Sequence, residues 1–360
     1  MISYSIAIRT LGKAGKKYQK LLNSITKLNV QPEKIIVVLP EEYKPPVEKI
    51  GTECFVYSKK GMIPQRLFAL QYITSEYTLF CDDDVELSAD FIEKLAEPLK
   101  SGRYDCSAGP LLEFFPPKGK KYLLASVLGG ACVMLHGKKD TYVRILKTGG
   151  WSYNDSIDTS SHRIYKTESL PGTCFFIRTE AMKHVRFEDE MWAEKNGYSA
   201  FEDRILFYKL QNNGHHSCVV SDAKYLHNDA KTSTQTLRTE PVYAAAYNHY
   251  VFWYRHIYQC TSNVLNKGWE KLCIWHYIQM QKLYQRVLMR AGRSNADLNA
   301  AMIQGFQDAK KYVKSTEYKC IPSAVIMFTL LIQDKLPFIK SYQVTRVMAW
   351  LYPDDYPADA

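Results

Sequence analysis

The chain has 360 residues, 46% of them hydrophobic, which is enough apolar material for one large domain or two and too much for a disordered chain. Its formal charge of +10 is uneven: residues 230–360 carry 16 Lys and Arg against 9 Asp and Glu, placing +7 of it in the last third. Nine scattered cysteines with no Cys-x-x-Cys pair, and no secretory signal at the start, argue against a disulfide framework and for a reducing, cytoplasmic setting.

The first third alternates strand-like and helix-like segments. Tyr4 to Ile8 reads as a strand, Tyr18 to Leu28 as a helix, and Lys34 to Leu39 as a buried strand ended by Pro40. Residues 53–57 read as a further strand, and Pro64 to Tyr72 as a helix with proline in its first turn. Thr78 to Phe80 then leads into acids, and Asp90 to Leu99 reads as the next helix. This alternation predicts an α/β fold, a mainly parallel sheet with helices on both faces.

Between Leu111 and Leu170 the pattern weakens, broken by Pro116-Pro117, Gly129-Gly130 and Gly149-Gly150, and the stretch 111–170 is expected to be a variable insertion. Thr173 to Ile177 resumes as a strand, Glu202 to Gln211 as a helix stopped by Asn213-Gly214, and Ser217 to Val220 as a strand followed by Asp222 to His227. Beyond Asp229, Trp269, Leu272, Cys273, His276, Met280, Leu283, Tyr284 and Val287 recur at helical spacing. The expected division is therefore 1–230 and a helical 231–360. Two apolar runs, 122–136 and 324–332, fall short of the ~20 residues a spanning helix needs, so the chain is expected not to cross a membrane.

The chemistry concentrates in Asp82-Asp83-Asp84, three carboxylates at the end of an apolar strand. Continued strand alternation would turn Asp82 and Asp84 to one side, an oxygen pair suited to Mg²⁺ or Mn²⁺. Two plainer readings compete. The triplet can be an acidic helix N-terminus, or positions 1, 3, 5 and 12 of a calcium loop through Asp82, Asp84, Glu86 and Glu93, although Leu87 stands where such a loop needs glycine. Ser199-Ala200-Phe201-Glu202 spells a capping box, which alone explains the acids Glu202 and Asp203 at a helix start. His227 reads equally as a half-buried histidine or a ligand, and imidazole suits Mn²⁺ better than Mg²⁺. Trp151 and Trp192 read either as platforms for a sugar ring or as core.

Taken together, the order strand, helix, strand, Asp-x-Asp cluster, the segment Pro171-Gly172-Thr173-Cys174-Phe175-Phe176-Ile177-Arg178, then Phe201-Glu202-Asp203 and finally His227 resembles family-2 nucleotide-sugar glycosyltransferases over roughly residues 1–230. The resemblance implies a GT-A fold and an inverting, metal-dependent transferase of polysaccharide or cell-surface glycan assembly. It implies Asp203, beside Glu202, as catalytic base, and Asp82, Asp84 and His227 as the site of Mn²⁺ or Mg²⁺. It also implies Arg9, Thr10, Glu41, Arg66, Asp82 and Asp83 as donor contacts. The implied partners are a nucleotide-sugar donor, UDP-linked by preference, and a saccharide or lipid-linked acceptor, with no nucleic acid.

The chain departs from the family at Arg9-Thr10-Leu11, Pro40-Glu41-Glu42 and Pro64-Gln65-Arg66, where the family often has Pro-x-Tyr/Asn, an Asp and Ala-Arg-Asn. Two other classes remain open: a sugar-nucleotide nucleotidyltransferase, for which Gly12-Lys13-Ala14-Gly15-Lys16-Lys17 is a loose phosphate-loop echo, and a non-catalytic carbohydrate-binding scaffold. Lys282, Arg286 and Arg290, at i, i+4 and i+8, form a basic stripe in the last third, either a solvated face or a peripheral contact with anionic lipid at the inner face of the membrane.

Overall fold

The structure is a computed structural model that describes residues 2–115, 132–134, 140–154, 156–228 and 238–324. The apolar runs at 122–136 and 324–332 lie almost wholly outside these residues, as do Pro116, Pro117, Gly129, Gly130 and Asp229. Among the described residues no helix is long and apolar enough to cross a membrane.

Strands β1 (Tyr4–Arg9), β2 (Ile35–Pro40), β3 (Glu53–Ser58) and β4 (Tyr77–Asp82) pair in parallel in the order β3-β2-β1-β4. Helices α1 (Lys16–Ile25) and α2 (Met62–Ala69) make the crossovers. Such units form because β2 is apolar on both faces and all six of its residues are buried, which requires cover above and below. The cover differs by face. Ile6, Ile8, Val37 and Leu39 pack with α1 and with α3 (Phe91–Lys100), whereas Ala7, Ile36, Val38 and Val56 face α2 and the later helices.

The short β5 (Val85–Leu87) lies beyond β4, outside the main sheet. Past β4 the main sheet continues through β11 (Cys174–Arg178), β6 (Cys106–Ala108), β12 (Ser217–Val220) and β10 (Ile164–Thr167), giving eight strands in all. The sheet is mixed and mainly parallel, as expected: β11 runs antiparallel to both β4 and β6, and β10 antiparallel to β12. Alternating apolar residues mark a strand but not its direction, which depends on the path of the connecting chain. A separate sheet joins β7 (Cys132–Met134), β9 (Trp151–Tyr153) and β8 (Val143–Ile145) within the insertion.

Helix α4 (Thr179–His184) follows β11, and α5 (Glu202–Asn212) precedes β12. The C-terminal part is helical: α6 (Thr239–Phe252) runs into a π-helical turn at Trp253–Tyr258, followed by α7 (Val264–Arg290) and α8 (Ala296–Tyr312). Tyr247, Val251, Ile274, Ile278 and Phe306 belong to the same apolar core as Ile36, Phe80 and Phe175 of the sheet. These helices therefore cover one face of the sheet. Close approach of α8 to α6 depends on Gly305, where an added Cβ would sit 2.5 Å from the Tyr243 carbonyl oxygen.

Candidate active site

The carboxyl ends of β1, β4 and the neighbouring strands open onto one edge, where parallel sheets bind ligands. Arg9 and Asp82 face each other in register at the ends of β1 and β4. Arg9 grips Asp82 as a fork, Nε to Oδ1 at 2.5 Å and Nη2 to Oδ2 at 3.1 Å, and its Nη1 also donates to Glu202 Oε1 at 2.8 Å. Arg66, on α2, donates to the other Glu202 oxygen at 2.7 Å and to the Gly172 carbonyl at 2.8 Å. An alanine at 172 would put its Cβ 2.8 Å from the Arg66 guanidinium, so the glycine before β11 is what lets Arg66 cross.

The expected pairing of Asp82 with Asp84 on one side is not what forms. The strand ends at Asp82, alternation stops there, and the three carboxylates diverge. Asp82 goes to Arg9, Asp83 accepts from the Thr10 hydroxyl, and Asp84 turns toward His227. Burial pushes the Asp83 carboxyl up to about 7, and its neighbours Asp82 and Asp84 add to this against the Thr10 hydrogen bond.

His227 reaches Asp84 through β13 (Tyr225–His227), which pairs antiparallel with β5 and sets His227 opposite Val85. Its Nε2 lies 3.6 Å from Asp84 Oδ1, while Nδ1 is 3.0 Å from the Glu113 carboxylate. A carboxylate on one ring nitrogen fixes the imidazole and leaves the other nitrogen directed at Asp84, an arrangement common behind metal-ligating histidines. Among the described residues, no three His, Cys, Asp or Glu side chains are grouped to hold an ion alone. Asp84 and His227 fit a cation as two protein donors, one hard oxygen and one imidazole, with remaining positions left to phosphate oxygens.

The capping box does not form either. The position before α5 is Phe201, with left-handed backbone at φ 66°, Ser199 instead donates to Glu194, and no side chain caps the helix. Glu202 is buried between Arg9 and Arg66. Burial would raise its pKa, but the two guanidiniums outweigh that and hold the carboxyl below the ordinary range. Asp203 differs from its neighbour. Burial first, then the adjacent Glu202 charge, raise its pKa to about 6, against a hydrogen bond from the Arg204 N–H at 2.7 Å.

Asp203 opens onto a cavity of about 560 Å³ whose walls include Phe115, Tyr142, Trp151, Tyr153, Tyr198 and Phe201. It is the one carboxylate among the described residues that line it, and Glu202 is not among them. Trp151 lies edge-on to Phe201 at 5.2 Å. Arg204 runs behind this wall, fully buried, with its guanidinium carbon 4.5 Å from the Trp151 ring and 4.4 Å from those of Phe201 and Phe252.

Of the residues expected at the site, Arg9, Thr10, Arg66, Asp82, Asp83, Asp84, Glu202, Asp203 and His227 are linked through these contacts. Glu41 stands apart: it follows β2 and is exposed, its N–H bonded to the Ser58 carbonyl at 3.1 Å. Of the two readings open for Trp192 the structure shows the core one: it is 4% exposed, with its indole N–H on Glu190 at 2.7 Å. Sequence reading missed Glu113, Tyr142, Tyr153 and Tyr198, which are single residues in a 3₁₀ turn, loops or a short strand without a pattern of their own.

No curated protein matches this sequence. One similar solved structure, described as the crystal structure of GalNAc-T7 with UDP, GalNAc and Mn2+, has a TM-score of 0.47 and 11% identity. The match covers 78% of this chain and 56% of that chain, so this chain spans little more than half of its length. Residues 40–186, which hold Arg66, the acidic triplet and Gly172 but end before Asp203 and His227, match the family model Glycosyl transferase family 2, and the match supports a glycosyltransferase.

Proposed function

We propose that this protein is an inverting, cation-dependent glycosyltransferase that moves a sugar from a nucleotide-sugar donor, UDP-linked by preference, to a hydroxyl of a saccharide or lipid-linked acceptor in polysaccharide or cell-surface glycan synthesis. The observation that carries this reading is Asp203, a carboxylate raised to about 6 in the wall of an aromatic cavity and one residue from a glutamate clamped by Arg9 and Arg66.

The aromatic walls suit the apolar faces of a sugar ring and leave Asp203 to meet its hydroxyl. Asp203 takes the hydroxyl proton as the acceptor oxygen bonds to the anomeric carbon, and the bond from that carbon to the diphosphate breaks with its electron pair leaving on phosphate. A single carboxylate among the described residues that line the cavity suits single displacement with inversion. Asp84 and His227 would hold Mn²⁺ or Mg²⁺, which when bound neutralises charge on the leaving diphosphate. Glu202 acts as a positioning residue, since both its oxygens are committed to guanidiniums and its charge biases Asp203.

The test is transfer by the purified protein from a panel of nucleotide sugars with Mn²⁺. Wild type should release nucleoside diphosphate, and Asp203→Asn should lower kcat by roughly 10²- to 10⁴-fold with donor affinity nearly unchanged. Full transfer by Asp203→Asn overturns the base. Pyrophosphate release from a nucleoside triphosphate, or sugar binding without any turnover, overturns the transferase reading itself.

A further inference from the structure

The 27-residue helix α7 is apolar on two sides. Its inner side, Ile274, Tyr277 and Ile278, is buried in the core. Roughly opposite, Leu265, Trp269, Leu272, Leu283 and Val287 fall on one stripe of a 3.6-residue helix, with exposures of 83, 58, 50, 39 and 47%. Trp275, 58% exposed, stands beside them. Single exposed apolar residues are ordinary, but a tryptophan and four aliphatics on one stripe, with a second tryptophan flanking it, mark a contact surface.

Charge identifies what that surface contacts. The helix carries Lys267, Lys271, Lys282, Arg286 and Arg290 against one acid, Glu270. Glu270 is fully buried, on the Lys147 ammonium at 2.5 Å and the Thr261 hydroxyl at 2.8 Å. The outward side of α7 thus has cations and no carboxylate. Arg286 and Arg290 are exposed along the stripe's edge, and Arg293 is exposed just after the helix. A second copy of the chain would bring the same cations to the same face, like charge against like. A membrane with anionic headgroups offers the complement: apolar depth for Leu265, Leu272 and Leu283, interfacial positions for both indoles, and phosphates for the arginines.

We propose that the outer face of α7 docks the protein onto an anionic lipid surface. This docking is independent of the chemistry assigned to Asp203.

Flotation of the full chain with vesicles of equal parts phosphatidylglycerol and phosphatidylcholine tests the proposal. Wild type should float with these vesicles, not with phosphatidylcholine alone, and should be released by high salt. Arg286→Glu with Arg290→Glu, and separately Trp269→Ser with Trp275→Ser, should each weaken partitioning by about ten-fold or more. Both pairs are solvent-facing, so thermal unfolding and turnover of a soluble acceptor should match wild type. No flotation of wild type, or flotation equal in wild type and both variants, overturns the proposal. So does a dimer in sedimentation that the tryptophan variant dissociates, since the face would then belong to a second copy.

Discussion

Two ionic clusters, one buried among the helices and one at the open edge of the sheet, are built to opposite charge balances. Around Glu190, which is fully buried, Arg255 Nε donates at 2.9 Å, Lys209 Nζ at 2.9 Å and the Trp192 indole at 2.7 Å, with His256 Nε2 at 3.1 Å. Burial works against the Glu190 charge, but His256, Arg255 and Lys209 overcome it and hold the carboxyl well below the ordinary range. Positive charge here matches or exceeds negative, and the cluster ties the 3₁₀-helical segment Phe187–Glu194 and α5 to the π-helical turn. At the cleft stand five carboxylates, Asp82, Asp83, Asp84, Glu202 and Asp203, of which only Asp82 and Glu202 are bound by Arg9 and Arg66. Two of the five, Asp83 and Asp203, are left with raised pKa values near neutrality. A balanced cluster is structural cement, whereas a deficit of positive charge at an open edge is a demand for a proton or a cation.

The contrast can be broken first at the buried end. Glu190→Ala strands Arg255 and Lys209 away from water, so it should cost about 3–5 kcal/mol of stability, read from urea unfolding. A loss below about 1 kcal/mol would mean that water or a neighbour replaces the carboxylate, and the cluster would not be cement.

A smaller effect is expected at the open end. His227→Ala should weaken Mn²⁺-dependent donor binding by about 10- to 100-fold while leaving unfolding nearly unchanged, measured by calorimetry with and without Mn²⁺. Equal affinity in variant and wild type would remove His227 from the cation site.

The mildest test is pH. Asp203 must be ionised to accept a proton, so kcat/KM should rise about ten-fold between pH 5 and pH 7, with the ascending limb near the Asp203 value of about 6. A profile flat down to pH 5 would move the base elsewhere. The sign for stability is opposite: a carboxyl raised on folding favours the folded state at low pH, and that contribution is lost as pH rises from about 4 through about 6.

Much of this was legible in the chain. Apolar runs such as Ile35–Pro40 can be little else than buried strands, and the acids after β4 stand where a sheet edge opens. The errors have physical causes. Reading Asp82 and Asp84 as a pair extended strand geometry two residues past the strand's end. The capping box at Ser199 to Glu202 is a local preference that lost to a charge partner 193 residues away, since Arg9 to Glu202 is outside any local window. The antiparallel course of β11 and the aromatic cavity depend on how distant segments meet, and no periodicity encodes that.

One contact joins the chemistry to the outer helix. Arg204, next to Asp203, donates to Nδ1 of His249 at 3.3 Å; burial and the arginine keep this imidazole neutral, and its Nε2 donates to the Thr148 carbonyl at 2.8 Å. His249 lies flat on Tyr277 of α7, ring centres 4.1 Å apart and planes within 3°. A guanidinium and two stacked rings thus run from the residue beside Asp203 to the rod that bears Trp269 and Trp275. Arg204 is thereby braced from the helical layer through buried rings alone, so losing the exposed indoles on the far side of α7 leaves the setting of Asp203 in place.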